Sequence, residues 1–298
     1  MNRSICVIFN PAARGEKARR WRSALGTLGP GCVLKATSSP GSAAALAEEA
    51  VRDGFDLVVA AGGDGTVNEV LNGLGQAPDG YARARLGVIP IGSVNVFARE
   101  HRLPLRWPEA WEVIRAGRER RIDILESTHH TTGASVRRFF AQMAGAGPDA
   151  RAVELIDWGV KKRHAYSAYI LAGLRALRET PAPIMVECES FRGPAQLVLI
   201  GNGRFYGGPH PIFPQADPAD GRLDLTVFPR MGLCTALGLL PRVLAGRPPS
   251  RRAARFFQAE RVRLTGAERV PLQLDGERAG QLPADIRVCP QALRLITP

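Results

Sequence analysis

The sequence predicts two successive architectures, an α/β domain built on a parallel sheet followed by an antiparallel β-sandwich domain. Three observations carry this. Apolar, β-branched runs alternate with helical segments over residues 1–126, the pattern of repeated βα units. Residues 127–298 hold many short strand-like runs divided by turn signals, the pattern of a sandwich. At 298 residues and 45% hydrophobic composition, the chain is long enough for two cores. The boundary falls where Glu126 to Arg138 turns polar and irregular, giving domains 1–126 and 127–298, with the last strand or strands able to pack back on the first domain.

Taken in order, Ile5 to Phe9 is a continuous apolar strand, and Asn10-Pro11-Ala12-Ala13-Arg14-Gly15 turns it into a polar helix through Trp21 to Leu25. A second unit opens with Cys32-Val33-Leu34, turns at Thr37 to Gly41, and enters a helix over Ser42 to Val51 with Ser42 as its N-cap. The third unit is the strand Phe55 to Val59, the turn Gly62-Gly63-Asp64-Gly65, and a helix whose buried face is Val67, Val70, Leu71 and Leu74. The fourth runs from the strand Leu86 to Ile89 into a second turn, Pro90 to Arg99. A helix from Trp107 through Ile114 and a strand Arg121 to Leu125 complete the domain. Parallel sheets collect ligands outside the carboxyl ends of their strands, where both glycine turns fall. In the second domain, strands are expected at Phe139 to Met143, Ile184 to Val186, Leu197 to Ile200, Leu223 to Phe228, Val262 to Leu264, Leu272 to Leu274 and Ile286 to Val288. Helices are expected at Ala152 to Trp158, Ala165 to Leu177 and Leu233 to Leu244.

The formal net charge of +12 favours an anionic partner: nucleic acid, an anionic membrane surface or a phosphorylated substrate. No helix-turn-helix, RRM or zinc-finger pattern is present, so no specific nucleic acid is expected. Five scattered cysteines without a C-x-x-C pair indicate neither a disulfide framework nor a zinc site and fit a reducing cytoplasm. The N-terminal apolar run is too short for a signal-peptide core, and no apolar stretch reaches the ~20 residues of a membrane span. The expectation is a cytoplasmic protein that meets membranes only from the surface. His129-His130 and His210 sit in loop-like surroundings and are assigned no metal. Arg251-Arg252-Ala253-Ala254-Arg255-Phe256-Phe257 reads either as an interfacial membrane contact or as solvated arginines before a sandwich strand begun by the two phenylalanines.

The stretch richest in chemistry is Gly62 to Asn68. Its glycines remove every Cβ from the turn, so that backbone N–H groups converge on an anion at the positive end of the next helix. Asp64 inside that cradle would repel phosphate unless a divalent cation lay between them, so the stretch implies a metal-nucleotide complex. The competing structural explanation is a capping box, with Thr66 as N-cap and Glu69 bonding back. It explains neither the glycines nor Asp64.

Taken together, Asn10-Pro11, the Thr37 turn, Gly62 to Val70, Pro90 to Arg99 and Leu274-Asp275-Gly276-Glu277 resemble the diacylglycerol/sphingosine lipid kinase family, in the expected order along nearly the whole chain. The resemblance implies a phosphofructokinase/NAD kinase-like first domain and a β-sandwich that binds the lipid. It implies ATP and Mg²⁺ as cofactors, a lipid substrate at an anionic membrane surface, a peripherally membrane-associated enzyme of phospholipid biosynthesis, and allows a homodimer. Gly62, Gly63, Asp64, Gly65, Thr66, Val67 and Asn68 match its nucleotide loop, with Asn10, Thr37, Ser93 and Asn95 as further nucleotide contacts. Asp275 and Glu277 match a D-G-E in which a carboxylate takes the proton from the lipid hydroxyl during in-line transfer; Asp275-Gly276 is equally a hairpin turn. Asp64 and Asp123 match carboxylates around the nucleotide's Mg²⁺ through water, and Lys161, or Lys162 if the register shifts, a lysine of that network. Asp217, Asp220 and Arg222 match a structural divalent site, with Asp220 supplying its carboxylate and the other two backbone carbonyls; a D-G turn is the alternative. Asp149 matches a position near the lipid's polar end; a turn at Gly147-Pro148-Asp149 is the alternative. One departure stands out: many bacterial diacylglycerol kinases have G-T-x-N-D where this chain has Gly92-Ser93-Val94-Asn95-Val96. The missing acid makes Asp64 a competitor for the general-base role and resembles sphingosine and ceramide kinases. Diacylglycerol is the leading substrate, with a sphingoid base or other lipid next, then an NAD kinase, then a non-catalytic nucleotide sensor.

Overall fold

The computed structural model describes residues 5–11, 31–131, 133–156, 165–266 and 269–298, with backbone alone for 165–170. The expected helix to Leu25, the end of the expected helix at Trp158, and Lys161 and Lys162 lie outside these residues. The chain separates into two compact units, Met1–Ile124 with Pro290–Pro298, and Leu125–Cys289.

In the first unit, strands β1 (Ile5–Phe9), β2 (Cys32–Ala36), β3 (Leu57–Gly62) and β4 (Arg85–Pro90) form a parallel sheet in the order β2-β1-β3-β4. The C-terminal end of β15 (Glu277–Ile296) extends it, with Leu295 paired in parallel to Leu86. Helices α1 (Ser42–Arg52) and α2 (Asp64–Gln76) pack against each other and the sheet, followed by short α3 (Gly80–Arg83) and α4 (Val96–Glu100) and by α5 (Trp107–Ala116). β3 and β4 are buried along their whole length, as strands covered on both faces must be. On one face Val7, Phe9, Val59, Ala61, Ile89 and Ile91 meet Trp111 and Ile114 of α5. Ser42 is not the cap of α1. Gly41 occupies that position in the left-handed region (φ 86), and Ser42, one residue inside, accepts hydrogen bonds at its Oγ from the N–H groups of Ser38 and Ser39.

The second unit is the expected antiparallel assembly. β7 (Met143–Ala146), β10 (Leu197–Gly201), β11 (Leu223–Phe228), β12 (Arg255–Ala259) and β14 (Pro271–Leu274) join β15 in the order β12-β11-β10-β7-β14-β15. β13 (Arg261–Gly266) pairs with β15 and carries β8 (Ile184–Cys188) and β9 (Phe191–Ala195) beyond it. Helices α6 (Pro148–Leu155), α7 (Ala165–Ala176) and α8 (Leu233–Leu244) interrupt the strands.

The segment expected to be irregular after Glu126 is a hairpin, β5 (Glu119–His130) with β6 (Ser135–Phe140), so His129 and His130 lie in a strand. Its polarity is misleading because Glu126, Ser127 and His129 are buried. Glu126 accepts two hydrogen bonds from Arg287, both 3.1 Å. The His129 ring bridges the Ser127 hydroxyl and the Ala279 carbonyl, each at 3.0 Å, and burial pushes its pKa down. β15 is far longer than the expected Ile286 to Val288, because Gly280, Pro283 and Pro290 interrupt the apolar alternation without ending the strand. All five cysteines are free thiols.

His101, just after α4, is 8% exposed, packs its ring at a tilt against Phe97 with centroids 4.5 Å apart, and leaves its Nε2 without a hydrogen-bond partner. Burial, aided by Arg120, pushes its pKa from the ordinary 6.5 down to about 3. The unfolded chain therefore binds a proton that the folded one refuses between these values, and stability present above pH 6.5 is lost as pH falls. We expect about 2 kcal/mol of loss from this residue between pH 7 and pH 5, so that His101→Phe shows a smaller drop in melting temperature over that range than the wild type.

Candidate active site

The sheet of the first unit ends in register. Phe9 stands opposite both Ala36 and Ala61, and Gly62 opposite Pro90. The residues that follow, Asn10, Thr37, Gly63 and Ile91, therefore share one carboxyl edge. The hydrogen-bond ladder continues past the strands: Thr37 N–H donates to the Phe9 carbonyl (2.9 Å), Asn10 N–H to Ala61 (3.2 Å) and Ile91 N–H to Gly62 (2.8 Å).

At this edge α2 begins at Asp64 with Gly63 as its extended cap (φ −92, ψ −173) and no side-chain cap. The capping box is not formed. Thr66 is the third residue of the helix, and Glu69 accepts instead from the N–H of Ala43 in α1 at 3.0 Å. A helix start without a side-chain cap is an anion site in waiting. The glycines have a second cause in close packing. A Cβ on Gly62 would stand 2.3 Å from Thr66 Oγ1, and one on Gly92 would stand 2.6 Å from both Gly63 Cα and Asn95 Oδ1. The two turns thus touch backbone to backbone.

Side chains tie them further. Asn95 takes the left-handed region (φ 53) and donates from Nδ2 to the Gly92 carbonyl at 2.9 Å. The Phe97 N–H, in the first turn of α4, donates to Asp64 Oδ1 at 3.1 Å, and Asn10 Nδ2 donates to Thr66 Oγ1 at 3.4 Å. Ser93 is exposed beside them. Val67 and Asn68 are buried, with Asn68 Oδ1 accepting from Asn72, so their side chains pack beneath the turn. Val96, at the position of the missing acid, is buried as well.

Asp123 is fully buried in β5 and accepts the N–H of Gln291 at 2.6 Å. Among the described residues no group of three or more His, Cys, Asp or Glu could hold a metal ion directly. One half-exposed carboxylate at a glycine-turn helix start, here Asp64, would suit a Mg²⁺ that keeps its waters and takes further ligands from a bound phosphate.

The second unit gathers a different set. Asp275 (φ 48) and Gly276 (φ 78) form a two-residue turn between β14 and β15, with Leu274 paired to Glu277. The Asp275 carboxylate accepts three backbone hydrogen bonds, from Ala141 (3.0 Å), Gln142 (3.0 Å) and Met143 (2.9 Å), and so clamps the hairpin onto the junction of β6 and β7. Glu277 is half-buried and pairs with Arg138 at 3.2 Å.

Asp149, in the first turn of α6, accepts from the Tyr206 hydroxyl (2.5 Å) and from Gln273 Nε2 (3.0 Å). The same Gln273 receives the N–H of Gly276 at 2.8 Å, which joins Asp149 to the Asp275 turn. Burial raises the Asp149 pKa against the opposing hydrogen bonds of Tyr206 and Gln273. Tyr206, Gln273 and Arg138 were not singled out from sequence. Only Gln273, directly before Leu274-Asp275-Gly276-Glu277, stood near a signal.

At the expected structural divalent site, Ala219 N–H donates to Asp217 Oδ1 (3.1 Å), Arg222 N–H to Asp220 Oδ1 (2.9 Å) and Asp220 N–H to the Asp217 carbonyl (3.2 Å), which closes a turn. Gln258 bridges Asp220 and Asp224 at 3.4 and 3.3 Å. Burial, aided by Asp220, raises the Asp224 carboxyl to about 6.

Residues 4–127 match the family model described as the diacylglycerol kinase catalytic domain, and residues 142–297 that of the YegS C-terminal NAD kinase beta sandwich-like domain. The diacylglycerol kinase of Bacillus subtilis (strain 168) is 32% identical over 254 residues, 84% of this chain and 80% of that protein. That of Staphylococcus epidermidis (strain ATCC 12228) is 28% identical over 312 residues, covering 100% of this chain and 93% of the other. A crystal structure of a diacylglycerol kinase from Bacillus anthracis superimposes with a TM-score of 0.76 at 23% identity, covering 99% of this chain and 97% of that one. Yeast NADH kinase, complexed with NADH, shares the fold with a TM-score of 0.54 at 12% identity, over 99% and 83% of the two chains.

The two acids of the β14–β15 turn should separate in a stability measurement. Asp275→Asn turns an amide toward three N–H donors and is expected to cost about 3 kcal/mol in denaturant unfolding. Glu277→Gln loses one partly exposed ion pair and is expected to cost less than about 1 kcal/mol.

Proposed function

This chain belongs to the diacylglycerol kinase family and is a kinase, and we propose that it transfers the γ-phosphoryl of ATP to the hydroxyl of diacylglycerol, giving phosphatidic acid for phospholipid biosynthesis. The observation that carries the reading is the row of Asn10, Thr37, Gly62 to Thr66 and Gly92 along one sheet edge, closed by a helix start whose cap residue, Gly63, has no side chain. ATP with Mg²⁺ would supply the transferable phosphoryl group and the cation that offsets its charge. Asp64, with Asp123 through water, would hold the ion. The N–H groups of the glycine turn and the hydroxyls of Thr37, Thr66 and Ser93 are donors of the type that phosphates accept.

We assign Glu277 as the residue that takes the hydroxyl proton. Asp275 already accepts three backbone N–H groups and serves to hold the turn on which Glu277 stands. Asp149, through Gln273, supports the same turn and is the candidate contact for the lipid's polar end. Among the described residues no helix is long and apolar enough to cross a membrane, which accords with an enzyme that takes its lipid from the membrane surface.

A second acceptor class has a specific observation behind it. Ser93, with Val96 buried in place of an acid, favours a sphingoid base or ceramide. Transfer of labelled γ-phosphate to diacylglycerol, sphingosine, ceramide and NAD in mixed micelles tests both. Labelled phosphatidic acid is expected, with kcat reduced about 10²–10⁴-fold in Glu277→Gln at an unchanged KM for ATP. A labelled sphingoid phosphate would move the substrate assignment, and labelled NADP would replace it. ATP binding without any product would identify a nucleotide sensor.

A further inference from the structure

Helix α8 presents an apolar stripe to solvent. Leu233, Leu237, Leu240 and Leu244 are 41%, 54%, 46% and 63% exposed. Their spacing of four, three and four residues places them within about 60° of one another around the helix. The opposite side does the packing. Leu239 is buried and Val243 partly so, in a cluster with Leu197, Leu199, Phe213 and Phe228. The exposed leucines are thus surplus to the core, and four together on one helix face are not the scattered single exposures that need no explanation.

The chain around this helix is one-sided in charge. From Leu225 to Ala259 there is no aspartate or glutamate, while Arg230, Arg242, Arg247, Arg251, Arg252 and Arg255 all fall within it. Arg247, Arg251 and Arg252 are exposed. Arg242 donates to the Pro248 carbonyl at 3.0 Å and so folds the loop carrying these arginines back on the helix end. A cavity of about 400 Å³ opens there, lined by Arg242, Arg251 and, from β11, Asp224 among others. The acids that precede this segment in sequence, Asp220 and Asp224, are bridged to each other by Gln258. Phe256 and Phe257 belong to the sandwich: Phe257 stacks on Phe191 at 4.5 Å and Phe256 packs on the cluster beneath α8. The apolar part of any surface contact therefore comes from the leucines.

We infer that α8 and the arginine loop after it form the face by which the protein docks on an anionic lipid surface, with the leucine stripe in the acyl boundary and Arg247, Arg251 and Arg252 at the headgroups. Apolar area on one helix face joined to basic residues, with no acid in the helix or the loop after it, is the composition of a helix that lies in a membrane interface. At 12 residues, about 18 Å, α8 cannot span the bilayer. A second copy of the chain is the weaker occupant, since a stripe one side chain wide and about 18 Å long falls well short of the ~800 Å² per partner of a stable dimer, and six arginines would face six. The purpose of the docking rests on the lipid-kinase reading, although its physics does not.

The test is co-sedimentation of the full chain with vesicles of phosphatidylcholine alone or mixed equally with phosphatidylglycerol. Wild type is expected to bind only the anionic vesicles, more weakly as salt rises. Leu237→Gln with Leu240→Gln should weaken binding about tenfold at an unchanged melting temperature. Arg247→Gln with Arg251→Gln and Arg252→Gln should weaken it about a hundredfold at low salt. Wild-type failure to bind, or variants that bind like wild type, would overturn the proposal, as would a wild-type dimer that the leucine substitutions dissociate. Turnover is read separately, with a short-chain diacylglycerol dispersed below its aggregation limit, which the leucine variant should phosphorylate as wild type does. Leucine-dependent docking without phosphorylation of any acceptor would sustain the docking face while the kinase reading falls.

Discussion

The first unit depends on a contact that leaves no room for a side chain. Gly63 and Gly92 meet backbone to backbone, and a Cβ on Gly92 would stand 2.6 Å from its neighbour. This approach brings the turns after β3 and β4 together at one sheet edge, and Asp64 fastens it by accepting the first-turn N–H of α4. Asp64 therefore has a structural bond as well as a position in the first turn of α2, where the proposed phosphate cradle lies. The cradle itself follows from the same constraint. With Gly63 as an extended cap and Thr66 turned over Gly62, the cap position itself offers no side chain to the start of α2.

The second unit solves a comparable problem by different means. Its β14–β15 hairpin turn has a residue with positive φ at Asp275, and the Asp275 carboxylate offsets that strain by gathering three N–H groups from the β6–β7 junction. Gln273 holds the turn from the other side and links it to Asp149 and Tyr206. Of the two acids in the D-G-E, one is thus an anchor and the other, Glu277, is carried by it. The same cluster that receives α8 also packs against Tyr206, so the proposed docking face and the Asp149 group are built on common ground within this unit.

Legibility in the sequence divided along the range of the interactions. The strand-turn-helix pattern around Gly62 and the long apolar strands were plain, because alternation and helical spacing are written within a dozen residues. The β5–β6 hairpin was hidden because its inward positions include Glu126, Ser127 and His129, whose burial is offset by partners such as Arg287 and the Ala279 carbonyl. β15 was mostly hidden because glycine and proline break its pattern. Ser42 reads as a cap on local grounds, but Gly41 takes that position because its left-handed backbone suits the turn that precedes the helix.

By itself the sequence determined the two architectures, the carboxyl edge at which the glycine turns gather, and the acids available for chemistry. Tertiary structure alone decided how those acids are engaged. Asp123 meets Gln291 across 168 positions, Asp275 meets Ala141 across 134, and Asp149 meets Gln273 across 124. It alone also showed that the leucines of α8 face away from the core. Periodicity records which residues prefer burial, while the partner of a carboxylate or the covered side of a helix depends on segments far away in the chain, which no local pattern encodes.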